Sequence, residues 1–193
     1  MKTVLNNDGL VEYYSDFLSQ SDAAYYFNTL TEEIAWQHDQ LLMFGKHITT
    51  KRKVAWYANE PYEYIYSNTK KTARTWTTSL KRIKEQVESS MGESFNACLL
   101  NYYHNGDEGM GWHSDNEPMM LKHASIASIS LGAQRSFMFR HKRKDTQHSI
   151  ELENGSLLIM KDETQDHWKH QLPVRKRIHS ARINLTFRHF SQA

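Results

Sequence analysis

Near the end of the chain, the run Arg182-Ile183-Asn184-Leu185-Thr186-Phe187-Arg188 alternates polar and apolar residues. As a β-strand it would turn Arg182, Asn184, Thr186 and Arg188 to one face. Two guanidiniums, an amide and a hydroxyl make a poor core and a poor solvent edge. They suit a small dicarboxylate, because the guanidinium fork binds carboxylates bidentately. Upstream, His113-Ser114-Asp115 spaces an imidazole and a carboxylate so that extended backbone turns both to the same side. A later histidine, His170 or its neighbour His167, would complete a set of two imidazoles and one carboxylate. Such a set holds iron(II) and leaves coordination positions open. A metal of this kind beside a dicarboxylate clamp points to oxidation driven by 2-oxoglutarate. Asn101 and Tyr103 repeat the two-residue spacing on an earlier apolar run and are candidates to complete the carboxylate pocket.

The elements that must carry these residues are mostly short strands. Candidates are Phe95–Tyr103, Ala124–Leu131, Ser136–His141, Ser149–Leu152, Ser156–Lys161, Trp168–Leu172 and Arg182–Phe190, with turn signals at Gly132-Ala133-Gln134 and Glu153-Asn154-Gly155. Many short strands between turns suggest a sandwich or a double-sheet jelly roll. Two helices precede them. Ser19 can cap the first, with Ala23, Tyr26, Phe27 and Leu30 at helical spacing. The second runs from Trp76 to Met91 with the stripe Leu80, Ile83 and Val87, a Thr77 or Thr78 cap, and Gly92 as its stop. The expected class is α+β, mainly β, with the helices packed on one sheet.

At 193 residues and 39% hydrophobic composition, the chain fits one domain with a sizeable core. Within it, residues 1–94 are expected to hold helices and a recognition segment, and residues 95–193 the β core. A net charge of +2 neither requires nor excludes a nucleic-acid partner. Cys98 is the single cysteine, so no intramolecular disulfide forms and a reducing compartment is expected. Neither a signal peptide nor an apolar run near the ~20 residues of a membrane span is evident. The expectation is a soluble protein without a membrane partner, in a bacterial cytoplasm or, for a eukaryotic source, the nucleus.

Taken in order, Asn101-Tyr102-Tyr103, His113-Ser114-Asp115-Asn116-Glu117, Ser128–Gly132, Phe137–His141, His170-Gln171-Leu172-Pro173 and Arg182–Arg188 resemble the AlkB-type Fe(II)/2-oxoglutarate-dependent dioxygenases that repair alkylated nucleic acid. The resemblance implies a double-stranded β-helix (jelly-roll) core. It implies His113, Asp115 and His170 as iron ligands, and Asn101, Tyr103, Arg182, Asn184 and Arg188 as holders of 2-oxoglutarate, with Arg188 on the distal carboxylate. With O2 as oxidant, the implied chemistry converts 2-oxoglutarate to succinate and CO2. An N-methyl group is hydroxylated in the same reaction and released as formaldehyde.

An enzyme acting on a base takes it out of the stack and holds it between planar or apolar groups. Tyr57, Tyr62, Tyr64 and Tyr66 form an aromatic-rich segment ahead of the metal motif. By family position, Tyr66 would stack on the flipped base, with His113 opposite, and Glu117 would face it; Tyr64 of the aromatic segment is a further substrate-binding candidate. Aromatic faces and a carboxylate favour the cationic N1-methyladenine and N3-methylcytosine over their neutral parents. Met43-Phe44-Gly45-Lys46 is similar to the segment with which duplex-preferring relatives wedge an apolar finger into the stack, which makes Phe44 that finger. Basic runs at Lys51–Lys53, Lys70-Lys71, Arg140–Lys144 and Arg175–Arg177 offer phosphate contacts, with Arg52, Lys144 and Arg175 the named candidates. The reading is therefore a monomeric demethylase of alkylated DNA, or of RNA. Two alternatives stand beside it: an oxygenase acting on a protein or small molecule, and a catalytically silent nucleic-acid-binding module.

Overall fold

The computed structural model describes residues 1–43, 46–66 and 69–191; within 41–47 and 63–71 the strands are described by backbone alone. The chain opens with β1 (Lys2–Leu5) and β2 (Leu10–Tyr14), then α1 (Gln20–Glu33). Next come β3 (Gln37–Met43), β4 (Lys46–Ala58), β5 (Glu63–Tyr66), β6 (Thr69–Thr72), β7 (Arg74–Thr75) and α2 (Thr78–Met91). The remainder is β8 (Ala97–Tyr103), β9 (Met110–His113), β10 (Ile126–Gly132), β11 (Arg135–His141), β12 (Gln147–Leu152), β13 (Ser156–Lys161), α3 (Thr164–His167), β14 (Trp168–Leu172) and β15 (Arg182–Arg188).

The helices begin and end where local chemistry dictates. Ser19 Oγ accepts the Asp22 amide at 3.1 Å, and Thr77 Oγ1 accepts the Leu80 amide at 3.3 Å. Each bond satisfies one of the amides that a helix start leaves without a partner. Gly92 closes α2 in the left-handed region at φ 68°, where a Cβ is costly.

The described strands form a major sheet in the order β1-β2-β13-β10-β15-β8-β4-β3, with β7 beside β4, and a minor sheet β12-β11-β14-β9. β5 and β6 make a separate hairpin. The strand core expected from residue 95 onward is thus wider than anticipated: β1–β4, from the first 94 residues, extend the same major sheet on both flanks. Alternating burial had not revealed them, because β3 and β4 mix buried and charged positions on one face.

One alternation organises the molecule. On β10 and β15, Ala127, Ile129, Leu131, Ile183, Leu185 and Phe187 face out and pack under α1 and α2, against Ala23, Leu30, Leu80, Ile83 and Val87. Burying each such aliphatic side chain contributes about 1.5–3 kcal/mol. The alternate residues face the space between the two sheets. One half of that space is apolar, filled by Val11, Ile126, Phe139, Leu152, Leu158 and Trp168. The other half receives Ser128, Ser130, Arg182, Asn184, Thr186 and Arg188. That polar half is the site.

Candidate active site

His113 ends β9, and His170 sits at its registered partner position on β14. The two rings meet edge to face, with centroids 4.3 Å apart and Nε2 atoms 3.1 Å apart. Asp115 Oδ1 lies 3.5 Å from His113 Nε2 and 3.8 Å from His170 Nε2. All three ligand atoms fall within 4.8 Å of one another. Strand alternation turns Trp168, His170 and Leu172 inward, whereas His167 belongs to α3 and stacks on His141, 6.0 Å between centroids. The choice left open between His167 and His170 is decided by that register.

The proton inventory fits a divalent cation. His113 Nδ1 donates to the Gly111 carbonyl at 2.8 Å, which leaves Nε2 with its lone pair aimed at the centre. Burial drives the His170 imidazole down to about 3, against the opposing pull of Asp115, so the ring is neutral at physiological pH. Burial alone would raise the Asp115 carboxyl, but the charge around it, Arg188 foremost, holds the acid below the usual range. The His113 ring, the neutral His170 ring and one carboxylate converge within coordinating distance. This donor set suits iron(II) and leaves positions open for substrates.

Beside the triad lies a cavity of about 490 Å³ of empty space, lined by Asn101, Tyr103, Arg182, Asn184, Thr186 and Arg188 together with the three side chains of the triad. Antiparallel register sets Tyr103 opposite Arg182 and Asn101 opposite Asn184, on one face of the major sheet. Arg182 is 2% exposed; it donates to Ser130 Oγ at 2.9 Å and lies 5.6 Å from the Tyr103 ring centroid. Its Nε has no hydrogen-bond partner among the described residues. Burial lowers the guanidinium to about 10, still cationic at neutral pH. A buried cation without a carboxylate is costly and calls for an anion. The inner end of the cavity is therefore built for a carboxylate.

One residue of the expected clamp sits differently from expectation, and a second is tied into the wall. Arg188 does not stand at the distal end. Its Nη2 donates to Asp115 Oδ2 at 2.8 Å and its Nη1 to Glu117 Oε1 at 3.4 Å, which places it at the metal end. Six residues of strand, about 20 Å, separate the two arginine backbones, so they approach the cavity from opposite ends. Asn184 lines the cavity, yet its amide nitrogen donates to Ser128 Oγ and the Ile129 carbonyl at 2.8 and 3.0 Å, while its oxygen accepts from Thr186. It braces the wall. Arg135 escaped sequence reasoning altogether: 1% exposed, it donates to the carbonyls of Glu108, Pro173 and Asn105, and it flanks Tyr103 5.9 Å from the ring centroid. It pins the loops that close the inner end.

A second cavity, about 520 Å³ of empty space, opens on the other side of the triad. Glu117 lines it with Asp39, Arg52, Val54, Trp56 and Leu99. Arg52, expected at a phosphate, is instead 6% exposed and paired with Asp39 at 2.9 Å, inside this cavity. The reason is again alternation: Arg52, Val54 and Trp56 share one face of β4, while Ala55 and Tyr57 face the helices as core. Asp39 and Trp56 carried no signal in the sequence, because it does not state which face of β4 meets the site. Of the other phosphate candidates, Lys144 pairs with Asp8 and Arg175 is exposed. Phe44 and the side chains of Tyr64 and Tyr66 lie outside the described residues.

Two facing sheets with a His-x-Asp and a distant histidine between them, next to a buried arginine, define a metal-dependent oxygenase of the jelly-roll type. The family model of the 2OG-Fe(II) oxygenase superfamily matches residues 10–188. The DNA oxidative demethylase ALKBH2 of Mus musculus is 35% identical, over 95% of this chain and 82% of that protein. The Homo sapiens ALKBH2 is 35% identical over 94% and 74% of the two chains. Human alpha-ketoglutarate-dependent dioxygenase alkB homolog 3 is 31% identical over 91% and 64%. The solved structure of OsALKBH1 superposes with a TM-score of 0.67 at 14% identity, covering 93% of this chain and 97% of that one, a likeness of fold. The chain belongs to the AlkB family within the 2OG-Fe(II) oxygenases. It is an Fe(II)- and 2-oxoglutarate-dependent dioxygenase that uses O2.

Proposed function

We propose that this dioxygenase demethylates N-alkylated bases in DNA. One observation carries the reading. The two cavities share Leu99, Asn101, Met110, His113, Asp115 and Arg188, so the triad stands at the junction of a carboxylate-binding chamber and a second chamber suited to a base. The relatives named as DNA oxidative demethylases support a nucleic-acid substrate over a protein or small molecule.

His113, Asp115 and His170 hold the iron, which when bound supplies the activation of O2 and the oxidation of the methyl group. Arg182, steadied by Tyr103 and Ser130, takes the distal carboxylate of 2-oxoglutarate. Arg188 keeps the Asp115 carboxylate anionic and oriented. In the second chamber, the Glu117 carboxylate and the aromatic lining at Trp56 favour a positively charged methylated base over its neutral parent. Water exclusion follows from the apolar lining, Val54, Leu99 and Met110. The balance is one methylated base, O2 and 2-oxoglutarate giving the free base, formaldehyde, succinate and CO2. One copy carries both chambers, which supports action as a monomer.

The test is mass spectrometry of a duplex oligonucleotide with a single N1-methyladenine, incubated with protein, Fe(II), 2-oxoglutarate and ascorbate. Loss of one CH2, absent with His113→Ala, supports the reading. Succinate formation with no loss from duplex DNA, single-stranded DNA or RNA refutes it.

A further inference from the structure

The minor sheet has an outward face that the reaction does not use. β9, β14 and β11 alternate, so that as His113, His170 and Phe139 point to the interior, Trp112, Lys169 and Arg140 point away. The guanidinium carbon of Arg140 lies 4.6 Å from the centroid of the Trp112 ring, reaching across β14 to stack on it. Arg140 and Lys169 occupy directly paired positions on adjacent strands. Like charges placed opposite one another destabilise a sheet. Among the described residues, neither has a carboxylate within ion-pair distance, and Glu151, an acidic residue of β12, sits across from Ser136 toward the far end of β11. Lys142, which donates to the Gln165 carbonyl at 2.7 Å, adds a third cation, lowered by its burial against the pull of Asp166 and lowered further by Lys169. Met138 and Gln171, paired in register, floor the patch beside the stack.

Placement links this patch to the site. β9 is the edge strand of the minor sheet, and one peptide bond separates outward Trp112 from His113, whose side chain is 36% exposed at the cavity mouth. A polyanion with a base in the second chamber can turn over that edge onto the patch. Guanidinium planes stack on bases, and their N–H groups bind phosphate. A protein partner would be expected to meet a more apolar centre with fewer unpaired cations.

We propose that this face is a track for the nucleic-acid strand flanking the target base. Arg140, held over the Trp112 ring, offers its plane to a neighbouring base, and with Lys169 it binds the backbone phosphates. The proposal rests on the nucleic-acid reading above and extends it.

The experiment uses Trp112→Leu and the double variant Arg140→Ser/Lys169→Ser, each checked for wild-type folding by circular dichroism. Binding of a labelled long single strand is followed by fluorescence anisotropy over a salt series. Demethylation is followed on that strand and on a trinucleotide bearing the same lesion, too short to leave the chamber. For the double variant, the slope of log affinity against log salt falls by about 1.4, the loss of two phosphate contacts on a single strand. For Trp112→Leu, affinity for the long strand falls roughly tenfold, the scale of one stacked base. Trinucleotide kcat/KM stays at the wild-type value in both. Unchanged slopes and affinities, as for a face that serves a protein, overturn the track. So does an equal loss on the trinucleotide, which would mean that Trp112 acts only by supporting His113. A wild-type protein that binds the strand with the expected slopes but demethylates neither substrate overturns the demethylase reading and leaves the track standing.

Discussion

Arg188 donates to Asp115 Oδ2 at 2.8 Å, with both side chains 5% exposed. The bond orients the carboxylate that must face the metal and keeps it charged against the effect of burial. Partners of this kind behind a metal ligand are worth roughly 10–100-fold in metal affinity. Arg188→Met is expected to weaken Mn(II) binding, measured by calorimetry as a stand-in for iron(II), by that factor. Arg188→Lys recovers only part, because an ammonium cannot reach Asp115 and Glu117 in the same fork geometry.

Metal binding to a preformed triad also shows in stability. A ligand at about 100 times its Kd stabilises the native state by about 2.7 kcal/mol. Addition of Mn(II) should raise the thermal midpoint of the wild type by several degrees, and a chelator should reverse it. Asp115→Asn, which keeps the shape but removes the charge, should show neither change.

Arg182 is the buried cation at the closed end of its chamber, and its two roles separate experimentally. Arg182→Met is expected to raise the KM for 2-oxoglutarate at least tenfold, since truncating one partner of a buried charge pair costs about 2–5 kcal/mol. The same variant should be as stable as wild type without 2-oxoglutarate, or more so, because an uncompensated buried charge is removed. A loss of stability equal to the loss of affinity would show Arg182 to be structural instead.

Asp39 and Arg52 form a buried pair in the wall of the base chamber. Breaking one side should cost about 3–5 kcal/mol, because the other charge stays buried. Urea denaturation of Asp39→Ala should show that loss, and Asp39→Ala/Arg52→Met should recover a large part of it. Simple addition of the two single losses would mean that the residues do not act as a pair.

The acid limb of stability has a contribution at Asp8. The Lys144 ammonium and the His141 ring hold its carboxyl below 3.8 by hydrogen bonds. A carboxyl lowered in the folded state stabilises above its unfolded value, and the gain is lost as pH falls through the folded one. Wild type should therefore exceed Asp8→Asn in stability near neutrality, and the two should converge as pH drops below 3.8. A gap that persists at low pH would assign the effect to packing.

Local signals in the sequence determined much of what the molecule became. Ser19, Thr77 and Gly92 set helix ends through bonds within a few residues, and the period-two pattern of 182–188 needed no partner to be read. His113, Asp115 and His170 were legible because ligand chemistry restricts residue types so strongly. What spacing alone could not decide was register. Pairing of β14 with β9 selected His170 over His167, and the direction of β15 put Arg182, not Arg188, at the closed end of the carboxylate chamber. The face of β4 turned Arg52 inward to Asp39 and brought Trp56 to the site. A one-residue slip would have reversed each of these placements, and register is decided by burial summed over strands distant in sequence. The types of residue were written along the chain; which of them meet was decided by the packing of two sheets.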